Sequence, residues 1–154
     1  MTLRLLTPED LPLLREFWIQ HWGADFMIVH GDTICHNEVE GFIFGDWKSL
    51  VTFQVRGEEC EVTSLDSLEE GQGIGTALMN AVLQEAKKRG CRRLFLTTTN
   101  DNLNALKFYQ KIGFALCGLR RGAINETRKI KPSIPQIGMN GIPLRDELEL
   151  ERWI

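Results

Sequence analysis

The sequence predicts a single mixed α/β domain over residues 1–154, with a central, mostly antiparallel sheet, one parallel crossover and flanking helices. Three observations carry that prediction. Runs rich in β-formers at residues 39–44, Ser49–Arg56 and Glu59–Ser67 are joined by Gly45-Asp46 and Gly57-Glu58, and joints that short favour antiparallel neighbours. A glycine segment, Gly71-Gln72-Gly73-Ile74-Gly75, then leads into an amphipathic helix and on to an apolar run at 94–98, the strand–helix–strand order of a parallel crossover. Finally, 154 residues fit one domain, and neither a linker nor an internal repeat interrupts them.

Each element has its own signal. Residues 2–6 alternate as a short strand. Thr7 can cap a helix that Pro8 opens, and Asp10 completes a box-like pattern; Leu11, Leu14, Trp18 and Trp22 recur at helical spacing until Gly23. Residues 24–37 show only a turn signal at Gly31-Asp32. The helix after the glycines places Ile74, Ala77, Leu78, Ala81, Val82 and Ala86 on one face; Lys87, Lys88 and Arg89 complement its dipole, and Gly90 stops it. A second helix is predicted over Leu103–Lys111, ended by Gly113, then a strand over 114–119. Residues 120–145 hold Pro132, Pro135, Pro143, Gly138 and Gly141 with little periodicity, and read as a long irregular stretch of the kind that often carries function. Residues 147–154 alternate as a closing strand.

Composition narrows the function classes. Hydrophobic content of 43% and charged content of 25% are those of an ordinary globular protein. A net charge of −3 argues against general nucleic-acid binding, and no apolar run is long enough for a membrane helix. Met1-Thr2-Leu3-Arg4 lacks the build of a secretory signal, and Cys35, Cys60, Cys91 and Cys117 form no Cys-x-x-Cys pair. The expectation is a cytoplasmic protein with reduced core thiols. His21, His30 and His36 with Cys35 have no diagnostic ligand spacing, so no metal is expected.

Three alternating glycines at a helix start need a reason, because glycine there costs up to about 1 kcal/mol relative to alanine. Gly73 and Gly75 are expected in the first turn. The reason is an anion site: the first amides of a helix lack internal partners, and the dipole favours negative charge there. A dinucleotide fingerprint does not fit, since the sixth position is Thr76 counted from Gly71 and Leu78 counted from Gly73. A P-loop fails because no Gly-Lys-Ser/Thr follows.

The pattern that fits is R/Q-x-x-G-x-G/A. Gly71-Gln72-Gly73-Ile74-Gly75 resembles the pyrophosphate loop of the GNAT superfamily of N-acetyltransferases. Asn102-Leu103-Asn104-Ala105-Leu106-Lys107-Phe108-Tyr109-Gln110-Lys111-Ile112-Gly113-Phe114 is similar to that superfamily's N-x-x-A-x-x-F-Y-x-x-x-G-F segment, in the same order and at the usual separation. The resemblance spans residues 59–118. One departure is Glu70, where the family has Arg or Gln; its carboxylate is expected to turn away from a diphosphate.

The resemblance implies acetyl-CoA as co-substrate and a primary amine as acceptor, with direct attack in a ternary complex. Gly71, Gln72, Gly73, Ile74, Gly75 and Thr76 would hold the pyrophosphate, and the backbone of Leu65, Asp66 and Ser67 would pair with the pantetheine arm. Asn102 and Phe108 would line the cofactor from the other side. Deprotonating a lysine-like amine at pH 7 costs about 4–5 kcal/mol, and an α-amine near pKa 8 only about 1. A base therefore matters; Glu61 is the candidate, through a water, with Glu59 as the register alternative. Tyr109 is the candidate acid for the leaving thiolate. A phenol's ordinary pKa of ~10 exceeds a thiol's ~8.5, so a hydrogen bond to the thiolate or a lowered phenol pKa is required. Trp22 and Asp25 are candidate acceptor contacts. Arg120, Arg121, Arg128, Lys129 and Lys131 are either a solvated face or a binder of acidic groups.

Small metabolite, antibiotic, peptide N-terminus and lysine side chain all stay open as acceptors. A homodimer stays open too. The alternative within the fold is a non-catalytic acyl-CoA sensor.

Overall fold

The computed structural model describes residues 2–67 and 73–154. In chain order the elements are β1 (Leu3–Leu5), a 3-10 turn (Pro8–Asp10), α1 (Leu11–Trp22), β2 (Phe26–Val29), β3 (Asp32–Cys35), a 3-10 turn (His36–Glu38), β4 (Glu40–Phe44), β5 (Ser49–Arg56), β6 (Glu59–Ser67), α2 (Ile74–Lys88), β7 (Arg93–Thr99), α3 (Leu103–Lys111), β8 (Ala115–Arg120), α4 (Ala123–Ile130), a 3-10 turn (Met139–Gly141) and β9 (Glu147–Trp153). The mixed α/β class is the predicted one. The chain forms two compact units: Met1–Met27, Thr33–Leu94 and Trp153–Ile154 in the first, Ile28–Asp32 and Phe95–Arg152 in the second. No described helix is long and apolar enough to cross a membrane.

The first unit is built on the antiparallel order β1-β4-β5-β6. Its core holds Leu14, Trp18, Ile43, Leu50, Val51, Phe53, Leu78 and Val82, all out of solvent. Helix α2 packs on β4, β5 and β6. Its buried stripe is turned from the predicted one: Met79 and Leu83 join Ile74, Leu78, Val82 and Ala86, while Ala77 and Ala81 are only half-buried. At the helix end, Arg89 reaches Glu40 through two bonds of 2.7 and 2.6 Å and Glu85 at 2.8 Å, with its guanidinium over the Phe53 ring.

The start of α1 shows why a short polar tetrad matters. Asp10 is 8% exposed; its Oδ2 accepts from the Thr7 amide at 2.8 Å, and its carboxylate takes two bonds from Arg4 at 2.8 and 3.0 Å. The Arg4 guanidinium, then the Thr7 amide, hold the Asp10 carboxyl well below the usual carboxylate range. A depressed carboxylate contributes stability above its ordinary pKa and loses it in acid. Asp10→Ala is therefore expected to cost about 1–2 kcal/mol at neutral pH. The gap to the parent should shrink as pH falls below about 4, and paired thermal melts at pH 7 and pH 2.5 check both statements.

Residues 24–37, unassigned from the sequence, hold β2 and β3 as a two-stranded sheet. The turn lies at His30-Gly31, one residue before the expected place, with φ of +44° and +83°.

In the second unit the strand order is β7-β9-β8, with β8 and β9 antiparallel. Leu96, Tyr109, Phe114, Ile124 and Leu150 form its buried apolar set. The stretch 120–145 departs from the irregular reading, because α4 occupies eight of its residues. Gly122, at φ +75°, caps α4, and its N–H donates to Asp146 Oδ1 at 2.8 Å. The remainder is irregular yet tied at three side chains. Asn100 Oδ1 accepts from the amides of Arg145 and Asp146, and its Nδ2 donates to the Pro143 carbonyl. Asp101 Oδ2 accepts from the Met139 amide at 2.8 Å. Arg128 donates to the carbonyls of Ile134, Pro135 and Leu144.

The four cysteines are thiols and not disulfides, but they are not all core residues. Cys60 and Cys91 are buried, and burial pushes the Cys60 thiol up to about 12. Cys117 is exposed on β8, against expectation, and Cys35 is half-buried.

Candidate active site

Strand β6 is the element that orders the first unit's polar side chains. Directly opposed residues of paired strands share a face, and successive residues alternate. Val62 opposes Phe53 and Ser64 opposes Thr52, so Thr63 is an extra residue, a β-bulge. The bulge resets the alternation. Glu61, opposite Gln54, thereby shares a face with Ser64 and with Asp66, opposite Leu50. Thr52 sits among them: its hydroxyl bonds Thr63 Oγ1 at 2.7 Å and Ser64 Oγ at 2.5 Å. No sequence signal marks this hydroxyl group, because the bulge that assembles it is a tertiary feature.

The two carboxylates considered as bases differ. Glu61 is only 6% exposed, not the solvent-facing strand residue that its position in a polar run suggests. Glu59 is largely exposed and pairs with Arg93 at 2.8 Å. Asp66, at the far end of the row, is half-buried, and its Oδ2 accepts from the Trp22 indole N–H at 3.2 Å. Burial pushes the Asp66 carboxyl up, while the indole hydrogen bond and the nearby His21 pull it partly back. Phe17 stacks near His21, ring centroids 4.1 Å apart, and lies 6.2 Å from Trp47. Trp22 and Asp66, expected in different roles, are thus in direct contact. Asp25 is elsewhere engaged, by Arg15 at 3.0 Å.

Leu65 and Ser67 flank Asp66 and are half-buried; Ser67 Oγ accepts from Ser49 Oγ at 3.4 Å. The candidate residues Gly71 and Gln72, and Glu70 with them, lie outside the described residues. Gly73 is not in the first turn of α2 as expected. It is the N-cap, left-handed at φ +72°, and supplies no capping side chain. The first helical bond is the Ala77 amide to the Gly73 carbonyl at 3.0 Å, which leaves the amides of Ile74, Gly75 and Thr76 without partners inside the helix. Ile74 contributes only its backbone, since its side chain is buried.

In the second unit, Asn102, a candidate to line the cofactor, caps α3 by accepting from the Ala105 amide at 3.1 Å, so its side chain has a structural duty. Tyr109 is 8% exposed and held edge-on by Phe114 at 5.8 Å and Phe108 at 5.3 Å. The basic run is divided between half-buried Arg120, Arg128 and Lys131 and exposed Arg121 and Lys129. Arg120 bonds Glu147 at 2.9 Å, Glu149 at 3.0 Å and the Thr97 hydroxyl at 2.7 Å, while Lys129 pairs with Glu126. The Glu147 carboxylate is buried and also accepts from the His30 amide. Neither a bare solvated face nor a ready anion binder describes Arg120 or Arg128.

The sequence profile of the acetyltransferase (GNAT) family matches residues 9–114. The chain belongs to that family. YdhI, an uncharacterized protein of Bacillus subtilis (strain 168), is 39% identical to this GNAT protein over 146 residues, which is 92% of this chain and 91% of YdhI. Among solved structures, a GNAT family acetyltransferase from Elizabethkingia anophelis with acetyl-CoA bound superposes with a TM-score of 0.71 at 22% identity, over 99% of this chain and 97% of that one. An IAA acetyltransferase from Bacillus cereus ATCC 14579 superposes with a TM-score of 0.70 at 19% identity, over 99% and 100%. These structures share the GNAT fold. The matched residues 9–114 include α1, β6, the glycine segment and α3.

Proposed function

We propose that this acetyltransferase moves an acetyl group from acetyl-CoA to a primary amine by direct attack in a ternary complex, in the cytoplasm. The observation that carries the reading is the start of α2: a 15-residue helix whose N-cap is a left-handed glycine and whose first amides, among the described residues, meet no capping side chain. That arrangement suits a diphosphate, because unpaired N–H groups and the positive end of the dipole face the same way. Acetyl-CoA bound to a structure of the same fold supports the same ligand here. Gly73, Ile74, Gly75 and Thr76, with Gly71 and Gln72, would grip the pyrophosphate. The backbone of Leu65, Asp66 and Ser67 would pair with the pantetheine arm, and Asn102 and Phe108 would complete the cofactor contacts.

Burial supports Glu61 over Glu59 as the base that takes the amine's proton through a water. The pairing of Glu59 with Arg93 points the same way. Tyr109 would stabilise the departing thiolate, and its fixed edge-on seat between two phenyl rings suits a group that must not move. The amine's lone pair attacks the thioester carbonyl, the carbon–sulfur bond breaks, and free thiol leaves as the amide forms. Trp22 and Asp25 are the proposed contacts to the acceptor.

The test has two readouts. Acetyl-CoA at about 100 times its Kd should stabilise the protein by about 3 kcal/mol in a thermal melt. Thiol release against a panel of amines should then give turnover, and Tyr109→Phe should lower kcat about 100-fold with little change in the acetyl-CoA KM. Binding without turnover would leave the sensor reading; no binding would remove both.

A further inference from the structure

The aspartate at the end of β6 lacks the arginine partner that several other buried carboxylates have. Asp10 pairs with Arg4, Glu147 with Arg120, and Asp146 with Arg145. Asp101 has no arginine but accepts from the Thr99 hydroxyl and the Met139 amide. Asp66 has a single donor, the Trp22 indole, and among the described residues no lysine or arginine pairs with it. An anion drawn from water without a counter-charge is costly, and the cost is relieved by any cation that docks beside it. The raised carboxyl pKa is the response of such a group. Its surroundings also favour a cation. The Trp22 ring touches it, His21 with its stacked Phe17 is close, and Trp47 lies beyond Phe17. Aromatic faces attract ammonium groups.

Position along the strand adds a length. Glu61 and Asp66 share a face, five residues apart with the bulge between them, which at strand rise is about 13–16 Å between Cα atoms. We propose that Asp66, with the Trp22 ring beside it, is the counter-ion for a second positive charge on the acceptor, so that the preferred substrates are long diamines or oligoamines that span from Glu61 to Asp66. An acceptor bearing a carboxylate at that end is disfavoured by like-charge repulsion. The inference rests on the assignment of Glu61 to the reacting amine. It adds the class of amine, which that assignment leaves open.

The experiment compares 1,8-diaminooctane with n-octylamine, which has the same chain and one charge fewer. The parent enzyme should favour the diamine about tenfold, chiefly through KM, as expected for one partly buried ion pair. Asp66→Asn should erase that preference, raising KM for the diamine about tenfold more than it raises KM for octylamine. Equal kinetics for the two amines in the parent, or an equal loss for both in Asp66→Asn, overturns the proposal while turnover itself upholds the transferase. Calorimetric titration of the diamine into CoA-saturated protein provides a readout apart from turnover. Binding that weakens about tenfold in Asp66→Asn supports the counter-ion even if no acetyl transfer is seen, in which case the transferase reading alone falls. Binding indifferent to the substitution overturns the counter-ion.

Discussion

Glu61→Gln is expected to lower kcat/KM for a lysine-like acceptor about 100-fold at pH 7, the loss typical of removing a positioned general base. The physical origin is the cost of a neutral amine. At pH 7 a group of pKa ~10.4 is almost wholly protonated, and a carboxylate beside it removes the proton where the reaction needs it gone. The carboxamide retains the size of the side chain in a buried position, so the variant should remain folded. The sign with pH follows. The variant depends on amine that deprotonates in solution, so its rate should climb about tenfold per unit toward pH 10 and converge on the parent. An α-amine near pKa 8 should lose only about tenfold. Paired pH profiles with both amines check this, and superimposable profiles for parent and variant would move the base elsewhere.

Gly138→Ala should give a large loss of stability. A Cβ at this position would overlap Asp101 Oδ2 and lie 2.7 Å from its Cγ, and Asp101 is 2% exposed with its carboxylate held by Thr99 and Met139. The methyl group cannot be accommodated by a swing into solvent. Either the aspartate shifts and loses a charge-assisted bond, or the strap at 138–140 lifts from the start of α3. Overpacking and a lost hydrogen bond to a charge together cost about 3 kcal/mol. For a protein of this size that is about 6–12 °C in melting temperature. A variant that melts with the parent would show that Asp101 does not hold the strap.

The elements that were legible in the sequence are those with local signals. Ser49–Arg56, Glu59–Ser67 and Leu103–Lys111 run as predicted because alternation, turn glycines and helical spacing act within one element. Helix α4 was not legible: its eight residues carry only Ile124 and Thr127 as buried positions, and prolines follow at once. The β2/β3 pair was hidden because four-residue strands give too short a period to count.

Of the candidate site, residue types were readable and orientation was not. Glu61 shares a face with Asp66 because Thr63 is bulged, and nothing local announces a bulge. Asp66 was assigned through its backbone, yet its side chain meets Trp22, 44 residues away. Arg120 and Arg128 look like a solvated cluster until their distant acceptors, Glu147, Glu149 and the carbonyls of 134–144, are brought in by the fold.

The bulge in β6 also has a meaning for how such a strand can vary. Thr63 works as a frame-shift in space: downstream of it, odd and even positions exchange sides. Were the strand to run with regular alternation through Thr63, Asp66 would turn toward the Phe53 side and Leu65 toward Trp22 with no side chain altered. Which side chains share a face in this segment is therefore set as much by the bulge as by their kind.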